Sequence, residues 1–144
     1  MFLGDYIHTL DDKGRVVMPS SFRGPIKEEG GRVVVAKGSD GCITIFTESK
    51  FTEIAEEEIQ APRVREARRN MRAKFAAADV QKMDSQGRIS LKPKLREYAG
   101  LADADEVAVI GMYDRVEVWQ VDAYEAEQAL ADDAYRTSEE VPGF

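Results

Sequence analysis

Two five-residue stretches combine groups that could do chemistry: Asp11-Asp12-Lys13-Gly14-Arg15 and Asp84-Ser85-Gln86-Gly87-Arg88. Each sets a carboxylate four residues before a guanidinium, with a glycine directly ahead of the arginine. Asp at the first position and Gly at the fourth predict a type I turn, with the glycine at positive φ in a bulge beyond it. The aspartate oxygen can accept the backbone N–H two residues on, which stiffens the turn. The same carboxylate can hold the arginine's planar fork in one orientation. A fork held this way suits base edges or phosphates of a duplex. One such turn alone would be an ordinary hairpin with an exposed ion pair. Only the spacing from Asp11 to Arg15 recurs, as Asp84 to Arg88, whereas Asp12 corresponds to Ser85. Asp11 is therefore read as the turn-former and orienter, and Asp12 as a surface residue.

The elements that must position these turns are written twice. A shift of 73 carries Asp11, Gly14 and Arg15 onto Asp84, Gly87 and Arg88. The same shift takes Arg23 to Arg96, Val34 to Val107, Gly38 to Gly111, Ile45 to Val118 and Phe46 to Trp119 without a gap, the signature of a duplication. In each copy a short β-prone run follows the glycine turn ("RVVMP", "RISLKP"), and two further strands follow around a turn. A helix closes each copy. In the first its apolar face is Phe51, Ile54, Ala55 and Ile59; in the second Asp122 is the expected cap and Ala123, Ala126 and Leu130 the stripe. The link holds another helix, predicted to start at Pro62, with Val64, Ala67, Met71, Phe75 and Ala78 on one face and Arg65, Arg68, Arg69 and Arg72 largely off it. The segment from Asp132 reads as a frayed acidic tail. A copy with four short strands is too small for a good core of its own. Two copies can pair about a pseudo-twofold axis and close one β-barrel, which removes exposed edges.

Bulk properties narrow the classes. The net charge is −7, with residues 1–60 at −4, residues 61–96 at +8 and residues 97–144 at −11. Binding to a polyanion depends on the local field, so the basic block keeps nucleic acid open. No run of about 18 apolar residues exists, so no membrane span is expected. The opening "MFLGDYIHTLDDKGR" does not read as a signal peptide. Cys42 is the only cysteine, which excludes a disulfide within the chain or a cysteine-based zinc site and suits a reducing cytoplasm. His8 is the only histidine, so a Cys–His pair would need those two, and both are read as structural. No P-loop, G-x-G-x-x-G or H-E-x-x-H is present. Neither an enzyme nor a cofactor or small-molecule substrate is expected.

With these residues in hand, the chain resembles the MraZ family of bacterial transcriptional regulators, whose halves are tandem AbrB/SpoVT-type swapped-hairpin modules. The resemblance runs through "MFLG", "LDDKGRVVMPSSFR", "MDSQGRISLKPKLREYAGL" and "VEVW". It implies a mainly β fold with helices: one repeat at residues 5–50, a helical linker at 51–78, a second repeat at 79–122, and a C-terminal helix and acidic tail at 123–144. It implies a cytoplasmic, nucleoid-associated repressor of the gene cluster for cell division and wall synthesis, its own promoter included. Ring-shaped homo-oligomers would bind short repeats in double-stranded DNA. By position the motif residues are Arg15 and Arg88 as DNA contacts, with Asp11, Gly14, Asp84 and Gly87 as their frame.

Around them, Lys13 suits a phosphate and Gln86 a phosphate or an adenine edge. Lys82, Lys92, Lys94 and Arg96 are expected around the second motif, and Arg23 and Arg96 are expected to pair with nearby carboxylates. The alternative is a ring-forming interaction module or antitoxin-like binder without specific DNA recognition.

Overall fold

Gly14 and Gly87 take φ of 75° and 78°, a left-handed conformation that costs a residue bearing a β-carbon about 1–2 kcal/mol. From each glycine a three-residue strand returns, and those two strands organise the molecule. The structure is a computed structural model and describes residues 1–61 and 64–140. In chain order its elements are β1 (Asp5–Thr9), β2 (Arg15–Val17), α1 (Ser20–Glu28), β3 (Arg32–Lys37), β4 (Ile43–Thr47) and α2 (Glu48–Gln60). There follow α3 (Arg65–Ala77), β5 (Asp79–Lys82), β6 (Arg88–Ser90), α4 (Pro93–Tyr98), β7 (Glu106–Gly111), β8 (Val116–Trp119) and α5 (Val121–Arg136). The 73-residue shift lays β2 on β6 residue for residue and starts α5 where α2 starts. Among the described residues α3 has no counterpart in the second copy.

The fold is mainly antiparallel sheet with helices around it. Six strands run in the order β1-β7-β8-β4-β3-β5, and β2 pairs with β6 in a separate ribbon. Each copy keeps its second hairpin to itself, β3 with β4 and β7 with β8, and exchanges its leading strand: β1 pairs with β7, β5 with β3. Two seams separate the sheet from the ribbon, and equivalent side chains bridge them. At one seam the Nδ1–H of His8 donates to the Val17 carbonyl at 2.7 Å. At the other, Gln81 Nε2 donates to the Ser90 carbonyl at 2.8 Å, and the Ser90 N–H returns to Gln81 Oε1 at 2.7 Å. His8 and Gln81 are 73 residues apart, as are Val17 and Ser90.

One core fills the space between the copies. Val16, Met18, Phe22, Ile26, Val33, Val35 and Ile45 come from the first, and Ile89, Leu91, Leu95, Leu101, Val107, Val109 and Val118 from the second. Each such side chain contributes about 1.5–3 kcal/mol on burial, so neither copy retains its stabilisation without the other. Outside the sheet, Phe51 of α2 lies against Phe46 and Phe75 of α3 against Phe51, while Lys74 pairs with Glu58. At the equivalent place in the second copy, Tyr124 of α5 covers Trp119.

Several local expectations are corrected. Neither α1 nor α4 was anticipated; Gly24 and the interior Pro25 hide α1, although Phe22 and Ile26 bury four residues apart on its inner face. Gln120, not Asp122, caps α5, its Oε1 accepting the Ala123 N–H. Ala123, Ala126 and Leu130 are exposed, and it is Tyr124 that packs. The segment from Asp132 continues as helix to Arg136 rather than fraying. Pro62 lies outside the described residues, and the first residue of α3 is Arg65.

Candidate nucleic-acid interface

Strand alternation decides where the motif arginines point. In the ribbon Arg15 faces Ser90, Val16 faces Ile89 and Val17 faces Arg88. Val16 and Ile89 are fully buried, so the alternate positions Arg15, Val17, Arg88 and Ser90 share the outer face. The two arginines sit at diagonal corners of that face, their Cα atoms about 8 Å apart from strand rise and spacing. The exchanged topology thus joins two motifs 73 residues apart in sequence into one surface.

Each turn is closed as its sequence requires. The Gly14 N–H donates to the Asp11 carbonyl at 3.0 Å and the Gly87 N–H to the Asp84 carbonyl at 2.9 Å. Asp11 Oδ1 accepts the N–H groups of Lys13 and Arg15 at 3.0 and 2.8 Å, while its Oδ2 accepts Arg15 Nε–H at 2.8 Å. Asp84 repeats the set with Gln86 and Arg88 at 2.9, 2.8 and 2.6 Å. The backbone N–H of the following arginine is the main cause holding each carboxyl below the usual range, with the guanidinium adding to it. With Nε engaged, the terminal guanidinium nitrogens of Arg15 and Arg88 form no hydrogen bond among the described residues, leaving donors that can face a ligand. Lys13 and Gln86 stand exposed at the turn tips, and so does Asp12.

Arg23 and Arg96 take unexpected places. Arg23 Nε–H donates to the Met18 carbonyl and Arg96 Nε–H to the Leu91 carbonyl, both at 2.9 Å. Neither meets a carboxylate among the described residues. Each guanidinium instead lies on the other copy's turn glycine: a β-carbon on Gly14 would come within 2.7 Å of Arg96 Nε, and one on Gly87 within 2.5 Å of Arg23 Nε. The backbone repeats the crossing, since the Met18 N–H donates to the Gly87 carbonyl and the Leu91 N–H to the Gly14 carbonyl, each at 2.8 Å. Glycine suits these turns for φ, and a β-carbon there would also push the overlying arginine aside. Every turn therefore carries two arginines, one from each copy. The recurrence of Arg23 and Arg96 was visible in the sequence, but their destination follows from the strand exchange.

Of the other basic residues expected at the second turn, Lys82 does line an open cleft of about 520 Å³ beside Asp84 and Ser85. Lys92 pairs with Asp79 at 3.0 Å, and Lys94 lines a groove between α3 and Tyr98. Cys42 is buried, its Sγ–H on the Ser39 carbonyl, and burial pushes its pKa up to about 12, which favours the thiol over the thiolate. Among the described residues no cluster of His, Cys, Asp and Glu could hold a metal, and no helix is long and apolar enough to cross a membrane.

Fold and site together define a tandem-repeat, strand-exchanged β module that presents two aspartate-clamped arginines on one ribbon. The chain belongs to the MraZ family. The family model described as "MraZ protein, putative antitoxin-like" matches residues 1–73 and 75–140. The chain is 41% identical over 150 residues to Transcriptional regulator MraZ of Clavibacter michiganensis subsp. michiganensis, covering 100% of this chain and 99% of the relative. It is 40% identical over 147 residues to the protein of that name in Salinispora tropica, with both chains fully covered. With that of Saccharopolyspora erythraea it shares 38% over 146 residues, 99% of each. A transcriptional regulator is not an enzyme class.

Proposed function

We propose that this protein is a sequence-specific DNA-binding transcriptional regulator, a repressor of the cell-division and cell-wall gene cluster that includes its own promoter. It acts in the cytoplasm at the nucleoid. The observation that carries the reading is the shared outer face of the β2–β6 ribbon, where Arg15 and Arg88 are each held by an aspartate and keep free terminal donors. A guanidinium fixed in this way has already given up the rotamer freedom it would otherwise lose on binding. Two forks whose Cα atoms stand about 8 Å apart suit base edges or phosphates of double-stranded DNA, with Lys13 and Gln86 reaching phosphate or adenine from the turn tips. The regulator's name carried by full-length relatives supports the same role.

One such contact pair is weak. A ring of subunits repeats it at fixed spacing, so short promoter repeats are met at high effective concentration and polymerase is blocked. The two repeats form the DNA-reading part, and α2 with α3 forms the linker between them.

Fluorescence anisotropy tests this on the upstream region of the protein's own gene and on a shuffled duplex, at two salt concentrations. Wild type binds the native duplex selectively and more weakly at the higher salt. Arg15→Ala with Arg88→Ala lowers that affinity by about 100-fold, from about 1–3 kcal/mol for each base contact. Equal, weak binding to both duplexes, unchanged by the substitutions, overturns the reading and directs the search to a protein partner.

A further inference from the structure

The two ends of the ribbon share a backbone but not a charge. Two residues before each turn aspartate, the chain faces a strand of the other copy: Lys82 faces Arg32 at the Arg88 end, and Thr9 faces Glu106 at the Arg15 end. One residue on, the Met83 N–H donates to the Gly31 carbonyl at 2.9 Å and the Leu10 N–H to the Asp105 carbonyl at 2.8 Å. Place for place, Lys82, Arg32 and Gly31 therefore stand where Thr9, Glu106 and Asp105 stand, and Ser85 stands where Asp12 does.

At the Arg88 end this leaves the open cleft of about 520 Å³ beside Asp84 and Ser85, lined also by Gly30, Gly31, Lys82 and, from the last turn of α1, Lys27. A β-carbon on Gly31 would lie 3.7 Å from Lys82 Cε, so the lysine stem runs along bare backbone. Both lysines are exposed and form no hydrogen bond or ion pair among the described residues. The carboxylates around them are engaged elsewhere. Asp84 is clamped to Arg88, Glu48 pairs with Arg32, and Glu28 and Glu29 line a separate cleft with Lys50. At the Arg15 end, Asp12, Asp105 and Glu106 stand exposed without ion pairs among the described residues, against Lys13. Of the lysines on α4, Lys92 pairs with Asp79 and Lys94 lines the groove beside α3.

We infer that the Lys27–Lys82 cleft is a docking site for the phosphodiester backbone of DNA, so that the Arg88 end of the ribbon is the anchored end and each module lies on the duplex in one direction. The inference rests on the DNA reading proposed above and assigns it a phosphate contact that the duplication does not repeat. Two uncompensated ammonium groups beside the fixed Arg88 fork neutralise phosphates and release their counterions. The exposed carboxylates at the Arg15 end repel a backbone there. A fully twofold head would dock in either direction with equal energy, and the unequal ends remove that degeneracy.

Fluorescence anisotropy of the full-length protein over a salt series, on the native and shuffled duplexes, tests the cleft. Lys27→Ala with Lys82→Ala lowers affinity for both duplexes by about tenfold at the lowest salt and reduces the slope of log affinity against log salt by about 2. The preference for the native duplex is unchanged, because phosphate contacts carry no sequence information. The charge-matched Lys50→Ala with Arg136→Ala, whose partners are Asp114 and Asp133, keeps the wild-type slope. Native duplexes carrying one neutral methylphosphonate at a time then locate the contact. Wild type loses affinity at a few phosphates to one side of each repeat, and the lysine variant is indifferent at those same phosphates. A wild-type slope in the lysine variant overturns the proposal, as does an equal loss in the charge-matched variant or a sensitive set symmetric about the repeat. Saturable binding of inorganic phosphate to the DNA-free protein, lost in the lysine variant while the DNA slope stays, assigns the cleft to a free anion and also overturns it. If wild type binds neither duplex, the DNA reading falls and the cleft with it; if it binds and the lysine variant matches it, only the cleft falls.

Discussion

At the scale of residues, the carboxylates of Asp11 and Asp84 each do two jobs through separate oxygens. Oδ1 closes the turn on backbone N–H groups and Oδ2 clamps the guanidinium. Asp11→Asn with Asp84→Asn keeps an acceptor for the turn but replaces the clamping oxygen or its charge. Under the proposed function, DNA affinity falls by about tenfold while the fold persists. The linkage has a definite sign. Each carboxyl titrates below the ordinary 3.8 when folded, so its contribution is complete above that value and is lost as pH falls through the lowered one. Urea unfolding of wild type and variant should therefore show a constant stability gap from pH 8 to 5 that closes below about pH 4. A gap that stays constant into acid would show that charge contributes nothing at these turns. The choice of Asp11 over Asp12 was legible because only Asp11 recurs, and Asp12 is indeed exposed. The partners of Arg23 and Arg96 were not legible, since carbonyl oxygens leave no mark in a sequence and the glycines beneath them belong to the other copy.

At the scale of elements, register was legible where the duplication states it, and packing was not. The shift of 73 placed β6 from β2 without error, because a repeat carries its own turn and its own inward residue, Val16 or Ile89. Periodicity misjudged α5, because an alanine–leucine stripe looks alike whether it meets a core or solvent. It missed α1 because Pro25 and Gly24 weigh against helix, whereas the burial of Phe22 and Ile26 outweighs them. The β3–β4 hairpin offers a test of how firmly these elements hold. Cys42 lies at its turn, fully buried, with a pKa of about 12 caused first by burial and then by the Glu117 carboxylate. At neutral pH almost no thiolate exists. Alkylation of the native protein should then be slower than that of a free thiol by at least about a thousandfold and should track opening of the hairpin. Rapid labelling under native conditions would mean that β3 and β4 open locally, without the rest of the core.

At the scale of the whole molecule, the decisive feature is the exchange. Both copies were readable as small sheets needing a partner, and the pseudo-twofold pairing followed from their size. Which strand crosses to which sheet is set by tertiary packing, and two identical hydrophobic patterns do not distinguish an exchanged strand from a retained one. The exchange has a mechanical consequence. The strands that pair with each copy's leading strand and ribbon strand, and half of the shared core, belong to the other copy. A chain ending at Ala61 keeps the β3–β4 hairpin but leaves β1, β2 and the outer edges of β3 and β4 without partners. A hairpin with unpaired edges and half a core is not stable in water. Two such chains, however, can supply each other with what the second copy supplied. Residues 1–61 should therefore fold only as a homodimer, with far-UV signal and mass rising together as concentration increases. Sedimentation equilibrium and circular dichroism over a hundredfold concentration range check this. A folded monomer that is independent of concentration would show that the leading strand can fold back onto its own sheet, and that the exchange is a choice the linker imposes. Concentration-dependent folding would locate the twofold in the repeat itself, with α3 serving to tie two halves already made to pair.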